Sequence, residues 1–198
     1  MIIDMKTILV IDNYDSFTFN LLHLLGRAEK NYNYVVHRNS DTTVLDLDFC
    51  ALVISPGPMG PEQTGLLPQL FARRIIPQRI PAFGVCLGMQ FIAWHFGGTV
   101  GESANPVHGR LARISHLRKD IFKGINADME CMRYNSLEVT SFPADCIEIL
   151  AREEGTGMIM ALRHKYLPVA GVQFHPESFL SRQSLTIIHN FFRHYVEN

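Results

Sequence analysis

The chain has no long apolar run and no excess of charge of either sign. Its 198 residues include 18 Lys and Arg against 19 Asp and Glu, so the formal net charge is −1. Nucleic-acid binding needs a basic face, and anionic membranes attract basic segments, so neither is favoured as a partner. No segment approaches the roughly 20 consecutive apolar residues that a membrane-spanning helix needs. The sequence therefore predicts a globular protein with no nucleic acid and no membrane among its partners.

The start of the chain also lacks the pattern of a secretory signal. Asp4 stands where a signal peptide carries positive charge, and the following apolar run stops at Asp12. The four cysteines include no CxxC pair and no spacing typical of zinc ligands. We therefore expect a cytoplasmic protein in which three cysteines are buried free thiols, namely Cys50, Cys131 and Cys146.

The sequence shows no internal repeat, no low-complexity tract and no linker, so residues 1–198 are predicted to form a single domain. Its first half alternates apolar runs typical of buried strands with segments of helical periodicity. This alternation predicts an α/β fold, an open and mostly parallel sheet with helices on both faces. Strands are predicted at 7–12, 34–37, 51–55 and 81–85, and helices from the N-cap Ser16 to near Gly26, over 65–75 and over 87–95.

The second half is richer in short strands, which favours hairpins or a small antiparallel sheet beside the main one. A last segment carries apolar residues at helical spacing, a stripe that indicates core packing rather than binding. The strands are predicted at 110–115, 137–140, 147–151, 158–163 and 169–174, and the stripe consists of Leu185, Ile188, Phe192 and Tyr195.

The fourth cysteine lies in a pattern that indicates a nucleophile. Cys86 stands between Gly84 and Gly88, after a predicted strand and before a predicted helix. This strand, G-x-C-x-G, helix order is the nucleophile-elbow pattern, in which small neighbours avoid collision around a strained turn. The elbow places sulfur at a helix N-terminus, where the thiolate is favoured. It also aims the Leu87 N–H at the oxyanion that develops during attack.

A base for this thiol is suggested by the segment His175-Pro176-Glu177. It follows an apolar strand, so its side chains emerge at the edge of the sheet where open α/β folds place their sites. Pro176 keeps the chain extended, and residues i and i+2 of an extended chain share one side. Glu177 can then orient the His175 ring, which predicts a Cys86–His175–Glu177 triad. A solvated turn histidine beside a surface glutamate is the alternative reading of the segment alone.

The loop Ser55-Pro-Gly57-Pro58-Met59-Gly60 is a candidate for a second oxyanion donor, because glycine permits close approach of the backbone to a ligand. An ordinary Pro/Gly turn would have the same composition.

Together these segments resemble the class I (triad) glutamine amidotransferases over essentially the whole chain. Within that family they are most similar to the glutaminase subunits of chorismate-using synthases, those of anthranilate and of aminodeoxychorismate synthesis. The resemblance is carried by five segments: Asp12-Asn-Tyr-Asp-Ser-Phe-Thr18, Ser55-Pro-Gly-Pro58, Gly84-Val-Cys-Leu-Gly-Met-Gln90, Arg133-Tyr-Asn-Ser-Leu137 and His175-Pro-Glu-Ser178.

The resemblance implies a flavodoxin-like fold and the hydrolysis of L-glutamine to glutamate and ammonia through a Cys86 thioester. It implies no metal and no cofactor in this chain, and a chorismate-binding synthase subunit as the partner that receives the ammonia. It assigns the remaining site residues by matching position. Oxyanion and substrate roles fall on Gly57, Pro58, Met59, Leu87, Gln90, Ser136 and Leu137, and the partner interface on Asn13, Tyr14, Asp15, Ser16 and Phe17.

Three positions depart from the family pattern. Met59 replaces a usual glycine, Asn135 replaces a usual histidine, and Arg110 replaces a usual lysine. If this position requires a positive φ angle or close approach of the substrate, Met59 would weaken glutamine binding or shift the loop by one residue.

The residues leave two other functions open. A free-standing cysteine hydrolase of γ-glutamyl compounds would use the same triad, and a catalytically silent regulatory subunit would need none of it. Anthranilate and aminodeoxychorismate synthesis are not distinguished.

Overall fold

The structure, a computed structural model, describes residues 5–197. Asp4, on which the argument against a signal sequence depends, lies outside the described residues. Nine strands are present in this part of the chain. They are β1 (Thr7–Asp12), β2 (Asn33–Arg38), β3 (Ala51–Ile54), β4 (Ala82–Val85), β5 (Thr99–His116), β6 (Met129–Ser141), β7 (Ile147–Glu153), β8 (Ile159–His164) and β9 (Val169–Val172).

All nine strands belong to one sheet, in the order β2-β1-β3-β4-β9-β8-β7-β5-β6. The first five strands in this order run parallel, which confirms the predicted flavodoxin-like α/β class. The antiparallel strands, predicted beside the main sheet, extend it, because β8 pairs with β9. Strands β5 and β6 are far longer than predicted and pair with each other as an irregular hairpin.

The helices in the described residues flank this sheet. They are α1 (Thr18–Ala28), α2 (Leu67–Leu70), α3 (Ile76–Gln78), α4 (Leu87–His95) and α5 (Ser184–Phe191). A π-helical turn over Phe71–Ile75 joins α2 to α3, and another over Phe192–Val196 prolongs α5. The predicted bounds of α4 are confirmed. The predicted start of α1 is wrong, because Phe17 rather than Ser16 is the N-cap residue and no side chain caps it.

Alternate residues of the central strands supply two apolar cores, one on each face of the sheet. In β1, Ile8 and Val10 face the core formed with α1 and α5, whereas Leu9 and Ile11 face the core formed with α2 and α4. This alternation follows from the period of two in a strand, and burial on both faces explains the continuous apolar run.

The C-terminal helix packs through a stripe that differs slightly from the predicted one. Ile188 and Phe192 are buried as predicted, together with Ile187 and Phe191. Leu185 is 37% exposed and points away from the core. Over residues 5–197 no helix has the length and apolar character needed to cross a membrane.

Candidate active site

Cys86 occupies a sharp turn between β4 and α4. Its φ and ψ angles are 52° and −104°, a conformation that is unfavourable for a residue with a side chain. The Cys86 N–H donates to the carbonyl oxygen of Val172 at 2.8 Å, which ties the turn to the neighbouring strand β9. Strained backbone of this kind persists only where the surrounding structure enforces it, and here it presents the thiol at the C-terminal edge of the parallel strands.

Two glycines make this turn possible, as the sequence predicts. A Cβ atom on Gly84 would lie 2.4 Å from the carbonyl carbon of Gly88, and a Cβ on Gly88 would lie 2.6 Å from the carbonyl oxygen of Ile54. Both contacts are with backbone, which cannot move aside as a flexible side chain can. The G-x-C-x-G spacing is therefore a requirement of packing between the start of α4 and strands β3 and β4.

The structure brings His175 and Glu177 to the same place as Cys86. Strand β9 pairs with β4, with Val172 opposite Val85, so the segment after β9 emerges beside the elbow. The Nδ1 atom of His175 lies 2.6 Å from Oε1 of Glu177, and the two side chains are 4% and 0% exposed. The other ring nitrogen, Nε2, is buried and makes no hydrogen bond to any described residue. It is the nitrogen left to exchange a proton with the thiol.

The charge state of His175 reflects this arrangement. Burial by itself disfavours the protonated ring, but the nearness and charge of Cys86 and the hydrogen bond and charge of Glu177 outweigh it. Together they raise the pKa of His175 to about 10. Cys86 contributes to the raised pKa of His175, although its sulfur makes no hydrogen bond with Nε2. The raised pKa favours an imidazolium beside the Cys86 sulfur.

Aromatic rings enclose the histidine. Tyr134 lies edge-on to the His175 ring at 5.0 Å between centroids, and Phe17 does so at 6.0 Å. Asp15, in the same loop as Phe17, has a pKa raised chiefly by burial and partly lowered by the Phe17 N–H and the charge of His175. The loop after β1 therefore forms part of the wall of the site.

The candidate oxyanion loop after β3 is held firmly against the elbow. The Ser55 hydroxyl accepts the Asn13 N–H at 2.9 Å, and the Asn13 amide donates to the Ser55 carbonyl oxygen at 3.0 Å. A Cβ atom on Gly57 would lie 2.6 Å from Cδ2 of Leu87 and 2.9 Å from the carbonyl oxygen of Asn13. A glycine is therefore required at position 57, because Leu87, the first residue of α4, and the Asn13 backbone approach it too closely for a side chain.

Met59 is compatible with this loop. Its φ angle is not positive, and Gly60, which follows it, has φ −82° and ψ 165°, an ordinary extended conformation. Of the two conditions under which Met59 would weaken the site, the positive φ angle is therefore not met.

Two of the residues assigned to the glutamine head group, Gln90 and Leu137, contact each other. Gln90 is buried, and its amide donates to the Leu137 carbonyl oxygen at 2.9 Å. Ser136 is exposed, and its hydroxyl pairs with Nε2 of His108 at 2.9 Å. Pro58 is exposed at the tip of its loop.

Gln173 is a site residue that the sequence analysis missed. It is fully buried, and its Nε2 donates to the Cys86 sulfur at 3.5 Å. A signal was present, because Gln173 directly follows β9 and lies two residues before His175. The predicted extended conformation around Pro176 is wrong, because the Ser178 N–H donates to the His175 carbonyl oxygen at 3.2 Å and residues 175–178 form a turn.

The predicted partner loop is unevenly exposed. Tyr14 is 50% exposed and Ser16 is exposed, while Asp15 and Phe17 are half-buried. Asn13 is completely buried and also accepts from the Asn39 amide at 3.0 Å. In this conformation Asn13 holds the loops together and presents no side chain to a partner.

Comparison with known proteins shows the family of this chain. Residues 9–195 match the family model described as glutamine amidotransferase class-I. The chain is 42% identical over 193 residues to aminodeoxychorismate/anthranilate synthase component 2 of Bacillus subtilis, covering 95% of this chain and 96% of that protein. It is 39% identical to bifunctional protein TrpGD of Thermotoga maritima over 94% of this chain, which spans only 32% of that longer protein.

A solved structure shows the same fold. The crystal structure of a glutamine amidotransferase from Thermotoga maritima superposes with a TM-score of 0.79, covering 98% of this chain and 99% of that one. The sequence identity is 16%, so this likeness bears on the fold alone.

Proposed function

The chain belongs to the class-I glutamine amidotransferases, and on that basis we propose that it hydrolyses L-glutamine to glutamate and ammonia. The observation that carries this proposal is the Cys86 elbow beside a buried His175 whose Nδ1 is held at 2.6 Å by Glu177. A thiol nucleophile, a base and a group that orients the base are the parts that acyl transfer from an amide requires.

The reaction proceeds in two steps. The Cys86 sulfur attacks the side-chain amide carbon of glutamine, and the thiol proton resides on Nε2 of His175. The tetrahedral oxyanion is stabilised by backbone N–H groups of Leu87 and Gly57. His175 then gives its proton to the departing nitrogen, which leaves as ammonia, and a γ-glutamyl thioester remains.

Water completes the cycle. His175 takes a proton from a water molecule that attacks the thioester carbon, and the sulfur leaves as thiolate with glutamate as the product. The proton on His175 restores the starting pair. Glu177 stabilises the imidazolium in each step.

We further propose that the ammonia passes to a chorismate-binding synthase subunit. The Bacillus subtilis relative is named as component 2 of a synthase of both aminodeoxychorismate and anthranilate, and either product remains open for this chain. The loop with exposed Tyr14 and Ser16 also contributes Phe17 to the wall around His175, so a partner bound to this loop would lie next to the triad. We also propose a cytoplasmic location. The four cysteines are free thiols, but the predicted burial is wrong for Cys50 and Cys146, which are partly exposed, and is confirmed for Cys131.

Labelling with an electrophilic glutamine analogue tests the nucleophile and the substrate together. We expect one adduct per chain, at Cys86 by peptide mapping, which free glutamine prevents. Cys50 and Cys146, which are more accessible than Cys86, serve as internal controls and should remain unmodified. Modification elsewhere, or labelling that glutamine does not slow, would contradict the assignment.

Turnover distinguishes a synthase subunit from a free-standing hydrolase. A coupled subunit should hydrolyse glutamine slowly alone and faster when a chorismate-using synthase is added. Rapid hydrolysis that no synthase changes would favour the free-standing cysteine hydrolase of γ-glutamyl compounds.

A further inference from the structure

We propose that Gln173 holds the Cys86 sulfur with an N–H donor and that Gln90 fixes the orientation of that donor. The glutamine head-group site and the nucleophile would then be joined by one chain of hydrogen bonds. The inference rests on the proposed function in one respect, because it takes Cys86 as the nucleophile.

This chain of hydrogen bonds consists of three contacts. The Leu137 carbonyl oxygen accepts from Nε2 of Gln90 at 2.9 Å. The same nitrogen donates to Oε1 of Gln173 at 3.0 Å, and Nε2 of Gln173 donates to the Cys86 sulfur at 3.5 Å. The four residues come from β6, α4, the segment after β9 and the elbow, so tertiary structure alone assembles them.

The Leu137 carbonyl oxygen determines the direction of every hydrogen bond in this series. A backbone carbonyl only accepts, so the NH₂ group of Gln90 must face Leu137. Its second N–H then meets Gln173, which must present its oxygen there. The NH₂ group of Gln173 is left facing the sulfur. Reversing either amide would bring two acceptors or two donors together.

Burial makes this orientation consequential. Gln173 is 0% exposed and Gln90 is 3% exposed, so bulk water is not available to replace a lost partner. An N–H that donates to sulfur stabilises the thiolate more than the neutral thiol. Gln173 thus supplies a contribution to thiolate stability that is separate from that of His175.

Gln90 acquires a second role from this geometry. Both of its N–H groups are used within the protein, which leaves its side-chain oxygen to contact a head group. Although Gln90 does not touch the sulfur, its removal should free the Gln173 amide to turn away. The Leu137 carbonyl oxygen also accepts from the Asn135 amide at 2.9 Å, so Asn135 supports the same anchor point.

Alkylation of Cys86 by iodoacetamide tests the chain of hydrogen bonds in the absence of the substrate L-glutamine. The pH dependence of the rate at Cys86 is measured by peptide mapping, with Cys50 and Cys146 as reference thiols in the same sample. In Gln173→Met, which removes the donor at similar side-chain length, we expect the midpoint to rise by about one pH unit. In Gln173→Glu, which places a carboxylate against the sulfur, we expect a larger rise.

Gln90→Met tests whether the hydrogen bond between Gln90 and Gln173 orients the Gln173 amide. We expect its midpoint to rise in the same direction as in Gln173→Met, and the exposed-amide control Gln78→Met to match the wild type. An unchanged midpoint in Gln90→Met would show that Gln90 acts only on substrate and would overturn the link. If Gln173→Met fails to fold, as judged by thermal unfolding, Gln90→Met still decides the question.

The same substitution in a His175 variant distinguishes the effect of Gln173 from the effects of other titrating groups near the sulfur. His175 and Glu177 adjoin Cys86 from the segment after β9, and Asp15 lies near His175 in the loop after β1. In His175→Gln protein the rise caused by Gln173→Met should persist, because the amide acts directly on the sulfur. Loss of the rise in this background would show that Gln173 acts only through His175 and would overturn the proposal.

Failure of this proposal and failure of the glutaminase assignment give different results. A wild-type chain that does not use glutamine, but whose Cys86 midpoint shifts in both variants, would contradict only the function. Normal glutamine use with unshifted midpoints would contradict only the chain of hydrogen bonds.

Discussion

Nδ1 of His175 and Oε1 of Glu177 lie 2.6 Å apart, in side chains that are almost entirely buried. The second carboxylate oxygen of Glu177 is also buried and accepts no hydrogen bond from the described residues. A buried carboxylate with one partner is strongly coupled to that partner, because water cannot screen the pair. Glu177 therefore fixes the His175 ring and favours its protonated form.

We predict that His175 stays protonated well above the pH at which an ordinary histidine loses its proton. Its folded-state pKa is about 10, against 6.5 unperturbed. Taken by itself, this group contributes stability that is fully present below about pH 6.5 and is lost as the pH rises through about 10. NMR titration of a ring carbon of His175 measures this pKa. The midpoint should fall in Cys86→Ser and in Glu177→Gln, and a wild-type midpoint near 6.5 would contradict the ion pair.

Glu177→Ala should slow glutamine hydrolysis less than His175→Ala. The carboxylate only orients and stabilises the base, whereas the imidazole carries the proton. In a comparable triad the two losses differ by roughly 10–100-fold. Steady-state rates at saturating glutamine measure the difference, with thermal unfolding to show that both variants are folded. Equal loss in two unfolded variants would instead make Glu177 a structural residue.

Cys86→Ser should abolish glutamine-dependent synthesis by the complex with a chorismate-using synthase while leaving synthesis from added ammonia intact. The thioester needs the sulfur, but free ammonia enters the partner's reaction without it. Product formation with each nitrogen source measures the two activities. Loss of both would show that the proposed division of labour between the subunits is wrong.

Gly84→Ala should destabilise the protein by at least about 2 kcal/mol and disturb the elbow. The added Cβ would lie 2.4 Å from Gly88 backbone atoms. Gly26→Ala is a matched control, because nothing lies within 4 Å of the corresponding Cβ in helix α1. It should stabilise the protein by about 0.5–1 kcal/mol. Urea unfolding compares the two, and equal stabilities would contradict the packing argument.

Glu153→Gln should destabilise the protein by about 3–5 kcal/mol. Arg133 is 1% exposed, and one of its guanidinium nitrogens donates to both Glu153 oxygens, at 2.7 and 2.8 Å. Removing the carboxylate leaves a buried cation without its counter-charge. The exposed pair of Arg113 and Glu130, separated by 3.9 Å, provides the control. Glu130→Gln should change the unfolding free energy by less than about 1 kcal/mol.

Local sequence determined the catalytic core of the site. The apolar run, Gly84, Cys86, Gly88 and the following helix specify the elbow because strand, turn and helix are consecutive. The contact of His175 with Glu177 was predicted correctly but for the wrong reason: the segment is a turn, closed by the Ser178 N–H donating to the His175 carbonyl oxygen at 3.2 Å, and not an extended chain. These features were predictable because the forces that produce them act between residues close together in the chain.

Tertiary structure decided the rest. Gln90 and Gln173 are 83 residues apart, and Asn13 and Ser55 are 42 apart, so no local periodicity links them. The burial of Asn13, the contact of Gln173 with sulfur and the single continuous sheet all depend on which strands become neighbours. That choice is made by the packing of two apolar cores against the whole sheet, a property of the folded chain rather than of any one segment.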